Sequence, residues 1–323
     1  MGEAIGSAAG AAGQDASAVY ALGSSQGESG RLLRQAEELA ADSAALLDRV
    51  GLRPGQSAID LGCGPRGVLD LLARRVAPAG RVVGLDSNPA HAAMAAWFVA
   101  ERGLGGVEVV TADARSTGLP PGSFDLVHAR TLLVNLPEPG EVAAEMMRLA
   151  RPGGWVASME PDTEHALCYP PHPAFDRLRD IFTIAFRRNG ADPWIGRRVP
   201  GLFRRAGLQQ VEVEARVQMY PHGNSRRTIR LDLVQSMRPQ VLEMGLATDT
   251  ELDELDAAAR AHLDDPDTVV MSGLLFLTWG RKPDHAPGDL LPARIAAGAQ
   301  PDSPARPHRR RCRRRDRHHP SRH

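Results

Sequence analysis

Asp60-Leu61-Gly62-Cys63-Gly64-Pro65-Arg66-Gly67 closes a short apolar run, residues 57–61. Such a run, bounded by turn residues, reads as a strand. Glycines at 62 and 64 let the chain turn tightly as it leaves that strand, and let a ligand approach where a Cβ would clash. Gly62, Gly64 and Gly67 also satisfy G-x-G-x-x-G. That spacing carries little specificity alone and would suit a dinucleotide.

Outward from this loop the pattern repeats. Residues 81–85, 107–111, 125–128 and 155–159 read as further strands, with helical composition and period at 68–76, 89–102 and 140–149 between them. Pro89 suits a first helical turn, and Pro152-Gly153-Gly154 ends the third helix. Two later strands, at 211–217 and 274–279, complete a seven-stranded, mostly parallel sheet. Strands alternating with helices make a doubly wound α/β fold, whose ligands bind beyond the carboxyl ends of the strands. Those ends carry the chemistry. The second strand runs into Gly84-Leu85-Asp86-Ser87, where a carboxylate can accept both hydroxyls of a ribose. The third leads to Thr111-Ala112-Asp113-Ala114, where a carboxylate suits the exocyclic amine of an adenine. Taken singly, a glycine turn is often only a turn, and an Asp at a strand end is often a helix cap. Three in register at successive strand ends point to a nucleoside site.

At this point the chain resembles the class I S-adenosylmethionine (SAM)-dependent methyltransferase family. Asp60-x-Gly62-x-Gly64 matches its first motif, and Asp86 and Asp113 match the acidic ends of its second and third strands. Phe124-Asp125-Leu126-Val127 is similar to its fourth-strand motif, and Leu149-Ala150-Arg151-Pro152-Gly153-Gly154 resembles the turn before its fifth strand. The likeness spans about residues 53–160 in the family's order, and implies a Rossmann-like methyltransferase fold with SAM as cofactor. It implies backbone contacts from Gly62, Cys63 and Gly64, and Asp60 near the cofactor's amino-acid end. Asp86, with Ser87 beside it, would take the ribose; Asp113, with Ala114, the adenine; Arg130 the methionine moiety. The family's frequent histidine five positions after Arg130 is Asn135 here. A stretch around Tyr20 and Gln35 resembles an N-terminal segment that lies over the cofactor in a secondary-metabolism subset. Tyr20 or Gln35 would then touch the methionine end, an aromatic face suiting a sulfonium.

The remainder divides into a leader (1–17), an N-terminal helical cap (18–52, with one helix over 29–50), the SAM-binding core (53–162), acceptor-pocket insertions (163–283) and a basic tail (284–323). Helical stretches at 175–188 and 225–263 are expected to be lids over a small-molecule acceptor. Methyl transfer needs a base only if the acceptor must lose a proton. His165 and Glu160, just past the fifth strand, are the candidates; His222 ranks lower, and His128, inside the fourth strand, is expected to be structural.

Composition narrows the field. The chain is neutral overall, yet residues 305–323 hold nine Arg and one Asp, a local +8 that leaves −8 on the rest. An acidic body argues against nucleic acid as the main partner. The tail could serve as a nucleic-acid or membrane arm, but its Arg, Pro and His read first as a solvated, unstructured extension. The longest apolar run, 269–277, is too short to span a bilayer. Three scattered cysteines make neither a disulfide framework nor a zinc site, so no metal is expected and a reducing cytoplasm fits. A monomer or homodimer is expected. Two alternatives stay open: a methyltransferase-like protein that keeps SAM without transferring its methyl while catalysing a cyclisation or rearrangement, and an NAD-dependent oxidoreductase.

Overall fold

The computed structural model describes residues 26–284. The leader, Tyr20 and the tail past Asp284 lie outside the described residues.

Seven strands form one sheet: β1 (Ser57–Leu61), β2 (Arg81–Asp86), β3 (Val107–Thr111), β4 (Phe124–Arg130), β5 (Ala150–Asp162), β7 (Gln209–Arg216) and β9 (Leu274–Arg281). Their order is β3-β2-β1-β4-β5-β9-β7, with β9 antiparallel to both its neighbours and the other pairings parallel. Alternation along the strands sorts side chains to two faces. Ile59, Leu61, Val83 and Leu85 enter one core with Met146 and Phe203. Ala58 and Val82 enter the other with Leu46, Leu47, Leu69 and Leu72. Each fully buried leucine contributes about 2 kcal/mol from water exclusion.

Helices cover both faces: α1 (Gln26–Glu38), α2 (Ala40–Val50), α3 (Leu69–Val76), α4 (Pro89–Glu101), α5 (Pro139–Leu149), α6 (Pro173–Arg188) and α7 (Ile195–Arg205). Asn88 caps α4 by accepting from Ala90 N at 2.9 Å, and Pro89 opens the helix. The single N-terminal helix expected over 29–50 is two helices, because the chain leaves helical geometry at Leu39 before α2 begins. Proline and glycine at 152–154 do not separate α5 from β5. The strand starts at Ala150, and Gly153, at φ +68°, bends it to meet Lys282.

Between β5 and β9 the chain adds a small two-stranded antiparallel sheet of β6 (Leu167–Tyr169) and β8 (Val269–Met271), with α8 (Ile229–Ser236), α9 (Arg238–Glu243) and α10 (Asp249–Leu263). With α6, these build a lid beyond the carboxyl ends of β1, β4 and β5. Arg227 clasps the lid. Its buried guanidinium donates to the carbonyls of Leu263 (2.7 Å), Tyr220 (2.9 Å), Thr268 (2.7 Å) and Asp265 (3.1 Å). Among the described residues, no helix is long and apolar enough to cross a membrane.

Candidate functional site

The loop after β1 folds around the side chain of Asp60. One carboxylate oxygen accepts from Val68 N at 3.0 Å and the other meets His128 Nδ1 at 2.7 Å. Strand register explains the second contact, since Asp60 lies opposite His128 in the β1–β4 pairing. Gly67, at φ +54°, closes the wrap, and a Cβ there would fall 2.2 Å from the Asp60 carboxylate. Asp86 fixes the other side of the loop by accepting from Gly64 N at 2.7 Å, while its second oxygen accepts from Asn88 N at 2.9 Å. A carboxylate offers about four lone pairs, so Asp86 still has acceptor capacity.

Beyond this loop lies a cavity of about 590 Å³, within the range of small-ligand sites. Its first half is lined by Gly62, Gly64, Asp86, Ser87, Asp113, Ala114 and Arg130, and is roofed by Arg31, Leu32, Gln35 and Leu39 from the α1–α2 segment. Gly62 has φ +66°, and a Cβ on it would meet Leu132 at 2.7 Å. Arg130 is buried and donates to Ser43 Oγ and the Gly67 carbonyl, both at 3.1 Å, tying β4 to α2 and the loop. Asp113 is gripped by Arg115, whose Nη2 donates at 2.7 Å and holds the carboxyl below its usual range. Cys63 faces away into the core. Burial, and then Asp60 and Asp86, push its thiol well up, so it stays protonated.

The second half is made by the lid: Phe175, Phe182 and Phe186 on α6, Tyr220, Arg226 and Arg227 before α8, and Ile229, Arg230 and Leu233 on it. A wall between the halves comes from Thr131, Leu132, Val134 and Asn135. Glu160 fastens that wall. It is fully buried and accepts from Leu132 N and Leu133 N at 3.0 Å and from Val134 N at 3.2 Å. Burial pushes its carboxyl up to about 7, against the downward pull of those N–H groups.

The candidate bases therefore need correction. Glu160 does not line the cavity; its oxygens are engaged behind the wall. His165 is exposed and outside the lining, because β5 ends at Asp162 and the chain turns outward there. Asp162, Glu164 and His165 converge within 4.8 Å, yet Arg197 already holds both carboxylates, at 2.8 Å for Asp162 and 2.6 Å for Glu164. His222 is also outside the lining, and His128 is a buried partner of Asp60. Asp60 and Cys63 shape the loop from behind and do not line the cavity. Gln35 does, and Tyr20 is outside the described residues.

Two contributors were not singled out from sequence. His91 on α4 lines the first half, 3.8 Å from Asp86, with its Nε2 buried and unpartnered. Its place three residues after the cap Asn88 is the signal that could have found it. Arg230 lines the second half and has no local sequence signal, because its burial depends on α6 packing over α8.

Comparison with known proteins supplies the context. Residues 59–158 match the family model described as methyltransferase domain. The chain is 35% identical over 164 residues to an uncharacterised 37.1 kDa protein in transposon TN4556 of Streptomyces fradiae, covering 50% of this chain and 46% of that protein. It is 42% identical over 116 residues to nocamycin O-methyltransferase of Saccharothrix syringae, covering 36% and 41%. It thus spans less than half the length of these two relatives. A demethylmenaquinone methyltransferase of Anoxybacillus flavithermus is 29% identical over 180 residues, 52% of this chain and 76% of that protein. A solved Bacillus halodurans structure shares the fold with a TM-score of 0.52 at 18% identity, covering 75% of this chain and 99% of that one.

Proposed function

We propose that this chain, whose residues 59–158 match the methyltransferase domain, is a class I SAM-dependent methyltransferase that moves a methyl group from SAM to an O, N or C nucleophile of a small organic molecule, a secondary metabolite, in the cytoplasm. The observation that carries this reading is the continuity of one cavity from the Gly62–Gly64 turn to the aromatic wall of α6. The first half fits the cofactor. Gly62, at φ +66°, lines the cavity where a Cβ would strike Leu132, and Asp86 and Asp113 present carboxylates at the ends of neighbouring strands.

Gly62 and Gly64 would meet SAM through backbone, Asp86 and Ser87 at the ribose, Asp113 and Ala114 at the adenine, and Gln35 and Arg130 at the methionine end. When bound, SAM supplies a methyl on a sulfonium, open to in-line displacement. The chain's own contribution is alignment and dryness: α6 and α8 exclude water and the apolar wall orients the acceptor. Among the described residues no histidine lines the lid half and its lining carboxylate, Asp162, is held by Arg197, which favours alignment as the chain's main contribution to the step.

Calorimetry should show micromolar-range binding of SAM or its demethylated product. Asp86→Ala should weaken it by about 1–3 kcal/mol, the loss of charge-assisted hydrogen bonds; unchanged affinity would remove Asp86 from the site. With an acceptor in hand, S-adenosylhomocysteine should appear in proportion to product. Product without it would replace transfer by rearrangement.

A further inference from the structure

Among the described residues, the cavity's lid half carries four arginines, Arg216, Arg226, Arg227 and Arg230, against a single lining carboxylate, Asp162. Asp162 is already paired with Arg197. Three of the four have partners suited to a cation. Arg216 pairs with Glu214 at 2.6 Å, Arg226 pairs with Glu38 and donates to Tyr220 Oη at 3.1 Å, and Arg227 is surrounded by main-chain carbonyls.

Arg230 differs. It is 7% exposed, and its one protein acceptor is the Thr163 carbonyl, 3.2 Å from Nη2. Its Nε and Nη1 are buried with no hydrogen-bond partner. The guanidinium carbon stands 4.7 Å from the centroid of the Phe182 ring, a cation–π contact that satisfies no N–H. Among the described residues no carboxylate offsets its charge, and another cation, Arg179, opposes it. Burial and that neighbour lower its pKa to about 10, so it remains protonated at neutral pH. A buried, charged fork with open donors is costly unless something binds it. A planar oxyanion satisfies a guanidinium edge with two parallel hydrogen bonds.

From this geometry we infer that Arg230 is the specificity-determining residue of the acceptor site, and that the acceptor is an organic carboxylate whose anionic group docks on it while its apolar body lies against Phe175, Phe182 and Phe186. An acceptor that arrives ionised needs no protein base where its oxyanion takes the methyl. The inference rests on the methyltransferase reading of the same cavity.

The test uses the full chain saturated with S-adenosylhomocysteine and three probe pairs: benzoate, cinnamate and 2-naphthoate, each against its primary amide. Calorimetry on the wild-type chain should find at least one acid bound about tenfold or more tighter than its amide. Arg230→Gln should bring the pair within about twofold while S-adenosylhomocysteine affinity stays unchanged. No preference for any acid, or a preference that survives in Arg230→Gln, overturns the assignment. Should that variant not fold, Arg230→Lys takes its place. It keeps the charge and loses the planar fork, so the acid should weaken several-fold, and undiminished affinity overturns the proposal. Failure of S-adenosylhomocysteine itself to bind would break the methyltransferase reading. Binding of it without acid preference would break only the inference about Arg230.

Discussion

The two halves of the cavity are built by different means. The strand-end half is made of turns a few residues long, each following directly on its own strand, and its carboxylates accept from N–H groups of those turns. Asp60 holds Val68, Asp86 holds Gly64 and Asn88, and Asp113 holds Arg115. The lid half gathers residues from 163 to 275 and holds them by long-range arginine contacts, such as Arg227 to Leu263 and Thr268, or Arg177 to Glu251 at 3.0 Å. Local geometry makes a rigid receptacle, and distant contacts make a cover that is free to differ in shape. Damage to one half should therefore read differently from damage to the other.

The largest effect belongs to the loop. Gly67→Ala adds a Cβ to a left-handed residue and drives it into the Asp60 carboxylate, at a cost of about 3–5 kcal/mol from backbone strain plus overpacking. Chemical denaturation should show that loss together with weaker SAM binding. A variant within 1 kcal/mol of wild type would mean the loop is not rigid, and the contrast with the lid would collapse.

Arg227→Met should cost about 3 kcal/mol by leaving buried carbonyls unpaired. Hydrogen exchange should quicken across residues 217–272 while β1 and β2 keep their protection and SAM affinity holds. Equal quickening in the sheet would show that the halves are not separable.

Glu160 sits on the boundary between them. Its folded pKa, about 7, is above the ordinary 4.5, so between those values the folded chain keeps a proton that the unfolded chain releases. The group's stabilising contribution is complete below pH 4.5 and is lost as pH rises through 7. The stability of wild type minus that of Glu160→Gln should fall by up to about 3 kcal/mol from pH 4.5 to 8. Parallel profiles would show that the three N–H donors, and not burial, set its ionisation.

At the small end, His165→Ala should leave turnover within about twofold, because the side chain is exposed and outside the cavity. A hundredfold drop would restore it as a base and extend the site beyond the lid.

The same division decides what could be read from the chain alone. Strand ends at Gly62, Asp86 and Asp113 are local events, a run of β-formers followed by a turn residue, and their order along the sequence is their order in the sheet. The helix α7 escaped notice because Gly196, Pro200 and Gly201 mask it, although Ile195, Val199, Leu202 and Phe203 carry its buried face. Gly196 is there for closeness, since a Cβ would lie 2.8 Å from the Glu160 carbonyl. The place of His165 along the chain suggests a base, but it lies three residues past the end of β5, where the strand no longer dictates which way a side chain faces. Glu160 was read as reactive because an acid near a site invites that, whereas its three N–H partners come from a turn some 26–28 positions earlier. Arg230 is the extreme case, since its character lies in what surrounds it.

The clasp made by Arg227 has an evolutionary consequence. It grips main-chain oxygens at 220, 263, 265 and 268, and an oxygen of that kind is present whatever amino acid occupies the position. The grip itself does not depend on which side chain stands at those four places, although Tyr220, Leu263 and Thr268 are themselves buried. A single cation can thus brace a pocket wall while residues elsewhere on its surface change, so that new acceptors can be explored without rebuilding the clasp.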